Sequence, residues 1–323
     1  MPVRLAFVSA IIWLLWAPVA RAQPVHKHVL RLEKSTTATA VEDFPGKRTF
    51  YQIDAATAPA RGLLVLLPGR GEPARDVLSA TSLAQQAAGR GFVVLLIGLN
   101  DRISLDASGT RFLDAAIGQV VRQRPALARR VVVGGFSAGG QLAFAYAEKL
   151  VRDSIQRPWR VRAVLGVDPP LDLAEHWHRA QYHLEHQDCT AFRAGDQRIL
   201  SELTHELGGS PEQFPEAYRS RSAFLRSDPG GGEAQWLKAL PVRLYCEPDL
   251  AFWQQSCPAL QPLDLNAYGA TALVAGLQRQ GNTRAQYIET TGKGYAGKRR
   301  MPHSWSIVDA PDCAAWLQRC IAE

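Results

Sequence analysis

Residues 134–140 read GGFSAGG, and one serine, Ser137, stands between glycines on both sides. Three valines at 131–133 come before it and a helix-patterned stretch, 138–152, comes after. A residue at the tip of a sharp strand-to-helix turn sits in strained backbone, and small neighbours let strand and helix approach closely. The serine hydroxyl is then exposed beside a helix N-terminus, whose free N–H groups favour negative charge. A tetrahedral oxyanion is such a charge, so the stretch suits a serine that attacks a carbonyl. A bare G-x-S-x-G also occurs at glycine-rich strand ends that do no chemistry. What sets this one apart is the apolar strand before it and the helix after it.

The elements that must position this serine can be read from the apolar runs. Candidate strands lie at 28–33, 48–53, 62–67, 92–97, 131–136, 161–167, 241–246 and 284–289. The first two alternate apolar and polar residues, as an antiparallel edge pair does. Those at 62–67, 92–97 and 131–133 are apolar throughout, as in a parallel sheet covered on both faces. Helix-like stretches near 74–90, 111–124, 138–152, 264–280 and 311–321 separate the later strands. The alternation predicts an α/β fold, a mostly parallel central sheet of about eight strands flanked by helices and built from βαβ units. Residues 172–236 hold no convincing strand and are rich in His, Glu and Arg, which predicts a helical insertion between two strands.

With its strand and helix in place, GGFSAGG resembles the nucleophile elbow of the α/β-hydrolase family, and the order of elements is similar over roughly residues 48–321. The resemblance implies a catalytic order of nucleophile, acid and then histidine, with the histidine in the loop after the last strand. Of the eight histidines only His303, in RRMPHSWSIVD, lies between the strand at 284–289 and the final helix. The acid is expected a few residues past the preceding strand, in VRLYCEPDL at 242–250. That residue is Asp249; Glu247 is the neighbour that could replace it. Asp168, in GVDPPLD after the strand at 161–167, is the less favoured alternative.

The resemblance also implies two backbone oxyanion donors. One is the N–H of Ala138, the residue after the nucleophile. The other belongs to the loop LLPGRGEP at 66–73, where Arg70 is the expected donor. This loop is similar to the family's His-Gly-type turn but has Pro68 where the histidine stands; an ordinary tight glycine turn would read the same way. In the implied mechanism His303 takes the proton of Ser137, Asp249 orients the imidazole, and an acyl-enzyme forms and is hydrolysed. Such chemistry needs no metal and no organic cofactor.

Two further motifs fit other chemistry poorly. TGKGYAGKRR at 291–300 contains G-x-G-x-x-G and a near P-loop, but Arg299 stands where a phosphate loop needs Ser or Thr. Too little chain follows for a dinucleotide-binding unit, so the stretch reads as a mobile loop carrying His303. HWHRAQYHLEH at 176–186 places His176 and His183 on one helix face, yet lacks the HExxH spacing of a zinc site. The aromatics Trp177, Tyr182, Phe192 and Trp253 are candidates for the pocket lining or for core.

Bulk properties set the outer bounds. The chain has 323 residues, 46% hydrophobic and 21% charged, enough for a large core and too apolar for extensive disorder. Residues 1–22 combine an early cation, Arg4, an apolar stretch from Leu5 to about Ala20, and a small-x-small end at Ala20-Arg21-Ala22. This predicts a cleaved signal peptide, the apolar stretch being short for a span of ~20 residues. The expected organisation is thus a signal peptide over 1–22 and one α/β-hydrolase domain over 23–323, with its helical cap insertion at about 172–236. Cleavage removes Arg4 and Arg21 and no acid, so the formal charge falls from +7 to +5. The scattered basic residues lack interleaved aromatics and leave no nucleic-acid footprint. The five cysteines, Cys189, Cys246, Cys257, Cys313 and Cys320, can oxidise after export and leave at least one unpaired. The short-loop pairings are Cys246 with Cys257 and Cys313 with Cys320.

The sequence therefore predicts an exported serine hydrolase, periplasmic or secreted, acting on a small-molecule or polymeric carboxylic ester. GFSAGG is similar to exported carboxylesterases and to polyester or feruloyl esterases. A peptidase or acyltransferase would use the same triad. From a different class, a non-catalytic binding or scaffold protein could occupy the same fold.

Overall fold

The computed structural model describes residues 23–33, 46–99, 102–153, 157–186 and 189–322; the predicted signal peptide at 1–22 lies outside the described residues. Among these residues the predicted strands become β1 (Val25–Leu32), β2 (Gly46–Ile53), β3 (Gly62–Leu67), β4 (Phe92–Ile97), β5 (Val131–Phe136), β6 (Val161–Val167), β7 (Val242–Cys246) and β8 (Ala285–Glu289). They form one sheet in the order β1-β2-β4-β3-β5-β6-β7-β8. The pairs β1–β2 and β2–β4 are antiparallel and every other pair is parallel.

The continuous apolar runs are explained by the two faces of this sheet. Successive side chains in a strand point to opposite faces. Leu63, Val65 and Leu67 of β3 therefore join Val93, Leu95, Val131 and Val133 in one core. Leu64 and Leu66 join Val94, Leu96, Val132 and Leu165 in the other. Three helices cover the first face: α3 (Ala107–Gln123), α4 (Ala138–Arg152) and α9 (Asn266–Arg279). The second is covered by α2 (Leu83–Gly89) and α10 (Ala310–Ala322). Each fully buried Leu or Val contributes about 1.5–3 kcal/mol of hydrophobic stabilisation. A strand between two such layers has no polar face to spare.

The helix predicted over 74–90 is divided. A 3-10 turn, Ala74–Asp76, leads into α1 (Val77–Ala80), and the chain then extends at Thr81 (φ −152°) before α2 begins. The Thr81 hydroxyl accepts the Leu83 N–H at 3.2 Å, which supplies a partner to one of the free amides at the start of α2.

Between β6 and β7 the chain forms α5 (Leu173–Glu185), α6 (Arg193–Leu207) and α7 (Pro215–Arg221). Asp172 caps α5 by accepting the N–H groups of Ala174 and Glu175 at 3.0 and 3.1 Å. Leu173, Trp177, Leu203, Leu207 and Tyr218 pack together with Ile103 and Ala138. Because Ala138 opens α4, this packing seats the inserted helices over the serine turn.

The cysteine pairings differ from the short-loop expectation. The disulfide joins Cys189, between α5 and α6, to Cys257, which follows a short helix, α8 (Leu250–Gln254). Cys246, Cys313 and Cys320 are free and buried. Cys246 ends β7 inside the core and cannot meet Cys257 beyond the helix. Cys313 and Cys320 are seven residues apart on α10, so their Cα atoms are separated by roughly 10 Å along the axis, too far for a disulfide.

The stretch expected as a mobile loop is a hairpin, β9 (Tyr295–Ala296) with β10 (Arg299–Arg300). Gly292 bends the chain before the hairpin (φ 69°), Gly297 turns it (φ 62°), and a Cβ at Gly294 would lie 2.4 Å from Met301 O, so the G-x-G-x-x-G spacing has a backbone cause.

Candidate active site

β5 and β6 end level with one another, because Phe136 pairs with Val167. The next residue on each strand, Ser137 and Asp168, turns into the positive-φ region, at 52° and 47°. These are the two non-glycine residues with positive φ among the described residues, and each is tied to the neighbouring strand. Ser137 N–H donates to Val167 O at 2.9 Å, and Asp168 N–H donates to Tyr245 O at 2.8 Å. Such backbone persists only where its surroundings hold it.

The glycines at the serine turn are required by contact. A Cβ at Gly135 would lie 2.2 Å from Gly139 O, and one at Gly139 would lie 2.1 Å from Pro68 O. Strand, helix and the loop after β3 thus meet at backbone distance around Ser137.

His303 enters from the segment after the hairpin. With the ring proton on Nδ1, His303 donates to Asp168 Oδ2 at 2.5 Å and accepts the Ser137 hydroxyl at Nε2, 2.9 Å away. Phe136, beside the serine, packs against the imidazole with ring centroids 4.6 Å apart. The structure therefore brings Ser137 and His303 together.

Asp249, the expected acid, is not in this chain of contacts. Its Oδ1 accepts the Phe252 N–H at 3.0 Å, capping α8, and its Oδ2 accepts from Arg300 at 2.7 Å. The register explains why. Val167 pairs with Tyr245, so the β7 residue level with Asp168 is Cys246, and Asp249 lies three residues further on, turned to the amides of α8. Glu247 does not reach His303 either. Its Oε2 accepts from Thr290 Oγ1 (3.1 Å), Lys293 N (2.9 Å) and Gly294 N (3.0 Å), and Arg300 pairs with the same carboxylate. Glu247 and Asp249 thus fasten the hairpin that leads to His303.

The two residues expected to supply the oxyanion donors, Ala138 and Arg70, line the same cavity as Ser137. Among the described residues neither the Ala138 nor the Arg70 N–H has an internal hydrogen-bond partner. The neighbouring Gly69 N–H is taken, donating to Glu72 Oε2 at 2.8 Å. The same oxygen accepts from Trp305 Nε1 at 3.0 Å, which ties the loop after β3 to the segment carrying His303. Burial holds the Glu72 carboxyl above its usual range, offset by these two hydrogen bonds. The Arg70 side chain points to α6, where it pairs with Glu202 at 2.6 Å.

The cavity over Ser137 measures about 230 Å³. Phe192, Trp253, Ile199 and Leu260 give it an apolar side, and α5 contributes His176, Arg179 and His183. Of the other aromatics singled out, Trp177 is core, edge-on to Tyr218 at 6.3 Å, and Tyr182 lines a second cavity. The histidines of 176–186 are engaged singly: His183 with Asp196 at 3.1 Å, His186 with Tyr182 O at 2.7 Å, His178 with Glu212 at 3.3 Å, and His176 with Arg179. Among the described residues no group of His, Cys, Asp and Glu could hold a metal ion. The helical spacing of 176, 179 and 183 places Arg179 on the histidine face, a signal present in the sequence.

No protein-family model matches the chain. No curated protein matches it either. Solved structures do. The chain is similar to brefeldin A esterase, described as a bacterial homologue of human hormone-sensitive lipase, with TM-score 0.56 and 15% identity over 98% of this chain and 81% of the other. It is similar to EstE1, a thermophilic carboxylesterase from a metagenomic library, with TM-score 0.53 and 14% identity over 93% and 90%. A third match is carboxyl esterase 2 of the mycorrhizal fungus Tuber melanosporum, with TM-score 0.52 and 15% identity over 92% and 84%. At such identities the likeness is one of architecture, and it agrees with the strand order and the serine turn: this chain has the α/β-hydrolase fold.

Proposed function

We propose that the protein is an exported carboxylic-ester hydrolase working through Ser137, His303 and Asp168. The observation that carries this reading is the continuous hydrogen-bonded chain from Asp168 through both ring nitrogens of His303 to the Ser137 hydroxyl, at the mouth of a cavity. His303 Nε2 takes the hydroxyl proton as Ser137 Oγ bonds to the ester carbonyl carbon. The Ala138 and Arg70 N–H groups hold the oxyanion, each such donor contributing about 3–4 kcal/mol to the barrier reduction. The C–O bond to the leaving group then breaks, and the alcohol departs with the proton from His303. Water, deprotonated by His303, attacks the acyl-enzyme and releases the acid. Asp168 keeps the imidazole in the Nδ1–H tautomer and offsets its charge.

An ester substrate is supported by the esterases of similar architecture. Export is supported by the pattern of residues 1–22 and by the Cys189–Cys257 disulfide, which suits an oxidising compartment. The test is a fluorophosphonate probe on residues 23–323, with the adduct mapped by mass spectrometry. Labelling of Ser137 that is lost in Ser137→Ala and His303→Ala is expected. A folded chain that takes no label would overturn the reading.

A further inference from the structure

Most charged groups in the wall of the Ser137 cavity are already paired. Asp168 pairs with His303, Asp196 with His183, Arg70 with Glu202, and Glu247 with Arg300. Asp264 turns its carboxylate to the Gln261 N–H at 2.7 Å. Arg179 of α5 differs. Its guanidinium donates to three neutral acceptors: the Asp264 carbonyl at 2.5 Å, Asn266 Oδ1 at 3.1 Å and His176 Nδ1. Among the described residues no carboxylate lies within ion-pair distance of it. Burial pulls its pKa down from the usual value, and the more distant Asp264, Asp168, Asp196 and Glu175 pull it back up. A guanidinium so placed stays charged and is held in orientation, with no carboxylate paired to it among the described residues.

A second group on the same helix face is suited to an anion, one turn before Arg179. His176 is held neutral, its pKa lowered chiefly by burial and then by Arg179. Because its Nδ1 accepts from Arg179, its proton sits on Nε2. The wall of the Ser137 cavity thus carries two donors without a carboxylate partner among the described residues, the Arg179 guanidinium and the His176 Nε2–H.

We propose that Arg179 anchors an anionic group of the substrate, so that the preferred ester carries a carboxylate on its acyl or its alcohol part. This rests on the esterase reading for where the ester bond sits, and on Arg179 alone for the charge preference. Arg179, His176, Asp264 and Asn266 also line a second cavity of about 460 Å³, so they form the partition between the two. A carboxylate bound there is held at the boundary of the reactive cavity, with the ester group left to reach Ser137.

The test uses residues 23–323 with Ser137→Ala, which binds without turnover. Calorimetric titration compares monomethyl glutarate with dimethyl glutarate for an acyl-side carboxylate, and 4-acetoxybenzoate with its methyl ester for an alcohol-side one. In one of the two series the charged member is expected to bind at least about tenfold more tightly, less so at high salt. Adding Arg179→Gln is expected to remove that preference. Equal affinities within both series, or a preference that survives Arg179→Gln, would overturn the proposal. Equal affinities within both series overturn the proposal without any Arg179 variant, and Arg179→Lys, which keeps the charge, is expected to keep part of the preference if Arg179→Gln does not fold. Failure of the serine chemistry reads differently: no fluorophosphonate adduct at Ser137, with the carboxylate preference intact.

Discussion

Neighbouring strands β6 and β7 each deliver a carboxylate past the end of the sheet and use it differently. Asp168 follows β6 directly, in strained backbone, with one carboxylate oxygen on His303. Asp249 comes three residues after β7, and its two oxygens go to a helix amide and to Arg300. One end is held level with Ser137 by the sheet register; the other braces the hairpin that brings in His303. A carboxylate near a histidine loop is therefore not enough to name the acid. The strand register decides which carboxylate arrives at the height of the nucleophile.

The sharpest way to break this contrast is to neutralise each acid in turn. Asp168→Asn is expected to lower kcat by about 10³–10⁴-fold, the effect of losing the correct imidazole tautomer in a triad. Asp249→Asn is expected to cost less than about tenfold, because its ion pair with Arg300 is about a third exposed and screened. Ester hydrolysis at saturating substrate, measured on both variants, checks the pair. A larger loss at Asp249 would reverse the roles given to the two strand ends, and equal losses would abolish the distinction between them.

The same contrast marks what could be read from the sequence. The strands 62–67, 92–97, 131–136 and 161–167 appear with the bounds they have in the sheet, because their runs are apolar and buried almost throughout, the half-buried Arg162 being the one charged residue in them. Ser137 was legible through its glycines and His303 through its place in the chain order. The acid was not. Chain order ranks strands, whereas the Asp168–His303 contact depends on Phe136 pairing with Val167 and on a backbone turn at Asp168. The disulfide was hidden for a similar reason: Cys189 and Cys257 are 68 residues apart in sequence and meet only once α5 and α8 are placed. The break at Thr81 was hidden because an apolar helical period continues across it.

The β7 side should also be where covalent bracing shows. The Cys189–Cys257 bond ties the segment after α8 to the inserted helices and closes a loop of 68 residues. Cys257→Ser is expected to lower unfolding free energy by about 2–4 kcal/mol. Urea unfolding of oxidised and variant protein, with matched slopes, measures it. An unchanged midpoint would mean that the packing of Phe192 on Trp253, with ring centroids 5.9 Å apart, already holds this junction without the bond.

The smallest expected effect separates the two things Asp249 does. As N-cap of α8 it supplies an acceptor to the Phe252 N–H; as an anion it faces Arg300. Asn keeps the acceptor and drops the charge, whereas Ala drops both. A lost cap costs about 0.5–2 kcal/mol, and a partly exposed ion pair contributes about 0–1 kcal/mol. Arg300 moreover keeps Glu247 and the Gly294 carbonyl as partners when Asp249 is neutral. Asp249→Ala should therefore destabilise the chain by about 1 kcal/mol more than Asp249→Asn, a gap measurable as a shift of the urea midpoint. If the two variants are equally destabilised, the charge is what matters at the end of β7, and the hairpin is held electrostatically. If the gap appears, Asp249 belongs to the local folding of α8, and Asp168 is left as the carboxylate that the sheet delivers to His303.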